Sequence, residues 1–261
     1  MRGVIKEWRF FMNEGAARKY RFETAIRIIT DEVMDKIKSK IGKSTSGFVF
    51  TEFSFDGGGA ASGRELPKEI LPLVQNIYGK IKFSDSIPDP SNSSVVGSYQ
   101  HSKKRMTIQV TLPTNFTLQD IRLSDLNAKI KSNLRHEFEH TLDDLRGIDR
   151  LTRGLGLRTL QDYKMYFTSP HEVNAYTVGF RRKARSLGKS WGEIKDSFIN
   201  WLEENLLSQV HAKNTWDRIK RAPGQSEYAT EQEVVATIND IDVALSKKYE
   251  EKYGIKIGVG S

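Results

Sequence analysis

Leu126, Ile130, Leu134, Phe138, Leu142 and Leu145 recur at spacings of four, four, four, four and three residues. This recurrence follows the 3.6-residue period of an α-helix and draws one apolar stripe along a long one. It predicts a helix from Leu123 onward, lying with that stripe on a core. No other stretch of the chain restricts the fold as tightly.

Two histidines stand on this helix, away from the stripe. They belong to the segment His136-Glu137-Phe138-Glu139-His140. Positions i and i+4 share a helix face and lie about 6 Å apart along the axis. Both imidazoles can therefore reach one ion at the usual Zn–N distance of about 2.0–2.1 Å. Glu137 points to the side of such an ion, where its carboxylate can take a proton from water instead of ligating. This is the H-E-x-x-H arrangement, and it falls inside the clearest helical pattern of the chain. The competing explanation is a polar helix face that carries two histidines by coincidence.

The chain has 261 residues, no cysteine and five histidines. Disulfides, iron–sulfur clusters, thiolate zinc sites and thiol catalysis are excluded together. A transition-metal site must then use histidine and carboxylate. A catalytic zinc takes three protein ligands and keeps one position open. The continuation His-x-x-Gly-x-x-His is absent, since Asp143 holds the glycine position and Arg146 the place of the third histidine.

Glu172, in Ser169-Pro170-His171-Glu172-Val173-Asn174-Ala175-Tyr176, is the best third ligand. It follows His140 at a distance that lets the first helix end and a second return alongside. Ala175 and Gly179 share its face and allow close approach. Ser169 and Glu172 also have capping-box spacing, with Pro170 at the first helical position, so Glu172 could instead close its own helix start. His171 is the rival ligand, and it could equally stabilise an oxyanion or stand behind a ligand. Asp143 could orient a ligand histidine or simply be solvated.

With His136-Glu137-x-x-His140 and Glu172-x-x-Ala175, the chain resembles the gluzincin branch of zinc metallopeptidases, the group that includes thermolysin. The likeness covers about fifty residues closely, and more loosely the order Gly97-Ser98-Tyr99, a strand around Ile108, then the motif helix. It implies a zincin-like α+β fold, Zn2+ as cofactor, a peptide or protein substrate and peptide-bond hydrolysis with Glu137 as general base. It also implies that residues 106–112 form an edge strand that docks substrate. A tyrosine or histidine would polarise the carbonyl oxygen, with Tyr163, Tyr166, His171 and Tyr176 as candidates and His171 and Tyr166 taken as the catalytic pair. The compact chain is also similar to zincin-like proteins encoded by tailed phages.

The remaining pattern is α+β, with a small mixed sheet in the first half and helices in the second. A helix is expected over 16–40 through Tyr20, Ile26, Ile29, Val33 and Ile37, and a strand within 47–55. The Asp56-Gly57-Gly58-Gly59 loop lacks the lysine of a phosphate-binding loop. A helix is expected over 67–78, a short strand over 81–83, and a hairpin joining 94–99 to 106–112 around His101. Helices are expected over 170–186, 191–206, 215–221 and 231–249. Residues 1–45 read as an N-terminal helical segment and 46–261 as the main domain, or 1–261 as one continuous domain.

A net charge of +8 invites nucleic acid, but the basic residues are interleaved with acids, which argues against it. No apolar run approaches the roughly 20 residues of a membrane span, and the N-terminus lacks a secretory pattern. The chain reads as cytoplasmic, with virion association as the other setting. The rival function is a non-catalytic zincin-fold structural or interaction protein of a virion or toxin-like assembly. In that case the N-terminal helix, or the helix carrying Trp191, Phe198, Trp201 and Leu202, would pack on a protein partner.

Overall fold

The computed structural model describes residues 15–41, 50–54, 77–84, 93–100, 103, 105–114, 117, 123–145, 157–212, 218–225 and 227–255. Among them are α1 (Gly15–Lys40), β1 (Phe50–Ser54), β2 (Ile77–Ser84), β3 (Ser94–Gln100), β4 (Arg105–Pro113) and α2 (Leu123–Leu145). Then follow α3 (Leu160–Thr168), α4 (Pro170–Leu187), α5 (Trp191–His211) and α6 (Glu231–Tyr253). The architecture is mixed α+β and mostly helical. The chain divides into two compact units, Met1–Ile148 and Asp149–Ser261.

In the first unit the sheet has the order β1-β2-β4-β3. β1 runs antiparallel to β2, β2 parallel to β4, and β3 antiparallel to β4. Alternating residues of β2 and β4 are buried, so one face of the sheet carries Ile77, Ile81, Ile108, Val110 and Leu112 into the core. Ile26, Ile29, Val33 and Ile37 of α1 and Ile130, Leu134, Phe138 and Leu142 of α2 join the same cluster. The expected stripe of the motif helix is therefore the stripe that packs. The apolar positions Ile26, Ile29, Val33 and Ile37 of α1 are thus taken up in this core.

Two expectations about strands change. Residues 106–112 lie in β4, an interior strand flanked by β2 and β3. β3 is an edge strand, with β4 as its single neighbour, and none of its residues is buried. The short strand at 81–83 is the end of an eight-residue strand, β2, that starts at Ile77. Ile77 and Tyr78, expected to end a helix, are paired with Met106 and Thr107 instead. Residues 67–76 and the 56–59 loop lie outside the described residues.

The second unit is built by four helices around Leu160, Phe167, Trp191, Leu202, Leu206, Ile238, Ile241 and Leu245. Thr159, Ser190 and Thr230 close capping boxes with Asp162, Glu193 and Glu233. Gly188 and Gly254 end α4 and α6 at positive φ, 64° and 67°, where a Cβ would be strained. The Trp191 ring stacks on Tyr249 at 4.2 Å and donates to the Thr177 carbonyl. Trp191 and Leu202 are core, whereas Trp201 is 54% exposed. Residues 218–221, expected to be helical, are not helical, and Lys220 is bridged to Thr159 and Tyr228. No helix among the described residues is long and apolar enough to cross a membrane.

Candidate metal centre

Three rows of side chains run along α2, each spaced by four residues. The apolar row faces the core. Beside it runs a polar row of Asp125, Lys129, Asn133, Glu137 and Thr141, and beyond that lie His136 and His140. The helical period makes Glu137 the neighbour of both other rows.

The His136 and His140 Nε2 atoms stand 3.0 Å apart, with the rings edge to face at 87°. Two ligand nitrogens on a tetrahedral zinc stand roughly 3.3 Å apart. The pair is therefore close to the spacing of a shared ion. His140 is buried and His136 half-buried.

The polar row fastens α2 to the start and middle of β3. Lys129 pairs with Asp125 at 3.1 Å and donates to the Ser93 carbonyl at 3.1 Å. Asn133 donates its amide to the Lys129 carbonyl at 2.9 Å, which leaves its oxygen to accept the Gly97 N–H at 3.3 Å. Glu137 is 5% exposed and lies along the backbone of Gly97. A Cβ placed on Gly97 would meet Glu137 Cγ at 2.7 Å and Oε1 at 2.8 Å. Asn133 and the closeness of Gly97 are features that the sequence alone did not single out. The four-residue spacing from Asn133 to Glu137 was the available signal.

Glu172 lies in the first turn of α4 and is buried. Ser169 caps this helix, its hydroxyl accepting the Glu172 N–H at 3.4 Å. The return half of a capping box is missing, because the Ser169 N–H donates to the Tyr166 carbonyl at 3.2 Å. His136 and His140 belong to the first unit and Glu172 to the second. Two imidazoles and a carboxylate form a donor set that suits zinc over the all-oxygen preference of calcium or magnesium.

The other expected site residues fall as follows. His171 is half-buried in the first turn of α4. Tyr166 is half-buried in the last turn of α3, edge-on to Phe167 at 5.0 Å. Tyr163 and Tyr176 pack against the core of the second unit. Asp143 is 3% exposed, so it is not the solvated residue that one reading expected. Glu139 is buried on α2 in an ion pair with Arg135. Arg146 lies outside the described residues.

No protein-family model, curated protein or solved structure matches this chain.

Proposed function

We propose that this chain is a zinc-dependent metallopeptidase with a zincin-like, gluzincin-type site. His136, His140 and Glu172 are its ligands and Glu137 is its general base. The observation that carries the reading is the pair of Nε2 atoms 3.0 Å apart on one face of α2, with the Glu137 carboxylate buried one residue from His136. The antiparallel edge strand β3 beside the motif helix is consistent with a peptide substrate bound in extended form.

Zinc, when bound, supplies Lewis acidity that eases water deprotonation and polarises a carbonyl. The chain's own residues do the rest. A carboxylate Oε of Glu137 takes the proton of the attacking water and delivers it to the departing amine nitrogen. Its burial strengthens the hydrogen bond that it can make to that water. His171 and Tyr166 are the proposed donors to the carbonyl oxygen, and His171→Asn compared with Tyr166→Phe separates them.

The deep position of Glu137 favours one rival, a zinc-holding scaffold without turnover. One experiment decides between them. Purified protein is expected to hold about one zinc per chain and to cleave casein. Glu137→Gln should keep the zinc and lose hydrolysis by about 10²–10⁴-fold. Undiminished cleavage by Glu137→Gln would remove Glu137 as base. Zinc without cleavage in the wild type would favour the scaffold, and absence of zinc would end both readings.

A further inference from the structure

Gly97 of β3 lies close against the Glu137 side chain of the motif helix. The distances to a Cβ at Gly97, 2.7 Å to Cγ and 3.0 Å to Cδ of Glu137, involve the stem of the side chain and not only its mobile end. A methyl group there cannot be met by a small rotation of the carboxylate. Nor can α2 retreat easily, because Leu134, Phe138 and Leu142 lock its other side into the core. On the strand side, Gly97 faces Ile108 across the β3–β4 pair. Its N–H turns to Asn133 instead of β4, as alternate residues of an antiparallel edge do. The Asn133 amide is itself oriented by the Lys129 carbonyl. Gly97 is thus held from one helical turn before the residue whose side chain crosses it.

We propose that Gly97, with Asn133 holding its N–H, is the positioning element of the general base. The absence of a side chain at 97 lets the Glu137 carboxylate lie against β3, and the Asn133 hydrogen bond keeps β3 at that depth. Gly97 touches neither metal nor substrate in this role and acts only through Glu137. This inference rests on the assignment of Glu137 as base for its catalytic consequence, but the steric seat itself does not.

The test is a cycle of the full-length variants Gly97→Ala, Glu137→Ala and both together, read by thermal unfolding and by hydrolysis of a quenched fluorescent peptide. Gly97→Ala is expected to lower Tm by roughly 3–8 °C in the wild-type background through overpacking. In the Glu137→Ala background the same change should leave Tm level or slightly raised, since alanine is favoured over glycine in a strand once the clash is gone. Displacing the base by about 1 Å should lower kcat by about 10²-fold. KM and zinc affinity, the latter measured against a chromogenic chelator, should stay nearly unchanged. Equal Tm losses in both backgrounds would overturn the seat. Intact kcat in Gly97→Ala would overturn its positioning role, and so would a loss that appears only in KM or zinc affinity. If wild-type protein cleaves no peptide, the metallopeptidase reading fails and the positioning of a base with it. The Tm cycle then decides whether the seat exists as packing.

Discussion

Glu172 carries two competing explanations, and one backbone hydrogen bond weighs between them. A capping glutamate must accept the N–H of its own cap residue. In this chain the Ser169 N–H is taken by Tyr166, while Asp162, Glu193 and Glu233 all complete that bond at their own helices. The Glu172 carboxylate therefore does not close that capping box, and the ligand role proposed for it keeps its ground. Glu172→Ala should weaken zinc binding by about 100-fold or more, since even residues behind a ligand cost 10–100-fold. His171→Ala should leave affinity within about threefold on the same scale. Chelator competition on both variants checks this, and the opposite ranking would transfer the ligand role to His171. Gly97 teaches a related point. Its residue type is visible in the sequence, yet the reason for it is a side chain forty positions away in the chain.

At the scale of elements, the longer helices and the β3–β4 hairpin follow from local chemistry, and the order of the sheet does not. The motif helix and its stripe, the Ser169-Pro170 start of α4 and the hairpin of β3 with β4 were all readable from periodicity and capping residues. α3 was overlooked although Thr159 and Asp162 spell its capping box, because its two short turns carry no stripe of useful length. Tyr78 was misassigned because the apolar spacing of 67–78 suits a helix, while pairing with β1 and β4 draws Ile77 and Tyr78 into a sheet.

The caps of the second unit also set its response to acid. Glu193 is held below the usual carboxylate range by the Ser190 N–H and hydroxyl. Glu233 is lowered by the Thr230 N–H and hydroxyl and by nearby Arg221. Burial pushes Asp162 up, but the Thr159 N–H and hydroxyl and the Arg158 N–H outweigh it and lower it. A carboxyl lowered on folding contributes its stability in full above its unfolded value of about 4, and loses it as pH falls through the folded value. Helix content in moderate urea should therefore hold from pH 7 to about 5 and decline below about 4.5. Replacing Thr159, Ser190 and Thr230 by alanine should cost about 1 kcal/mol per cap at neutral pH and flatten that decline. An acid limb as steep in the triple variant as in the wild type would show that other groups govern it.

At the scale of the molecule, each unit has its own buried cluster, one drawn from residues 25–142 and the other from 160–249. A fragment spanning 149–261 should then fold by itself, with helical circular dichroism and a cooperative thermal transition. A fragment that melts without a transition would mean that its core depends on the rest of the chain. The boundary at Ile148 and Asp149 was not singled out beforehand, although Gly147, Gly154 and Gly156 flank it in the sequence.

The motif helix and its surroundings divide between two kinds of cause. The sequence by itself determined that His136 and His140 share a face, that Glu137 lies between that face and the apolar stripe, and that any metal held there meets nitrogen and carboxylate. These are consequences of a 3.6-residue period and of residue chemistry, both local. Only the tertiary structure decided that β3 and not β4 is the edge, that α1 is consumed by the core, and that Gly97 lies under Glu137. Strand order and helix-to-strand distance depend on contacts between residues far apart in the chain, and no local period encodes them.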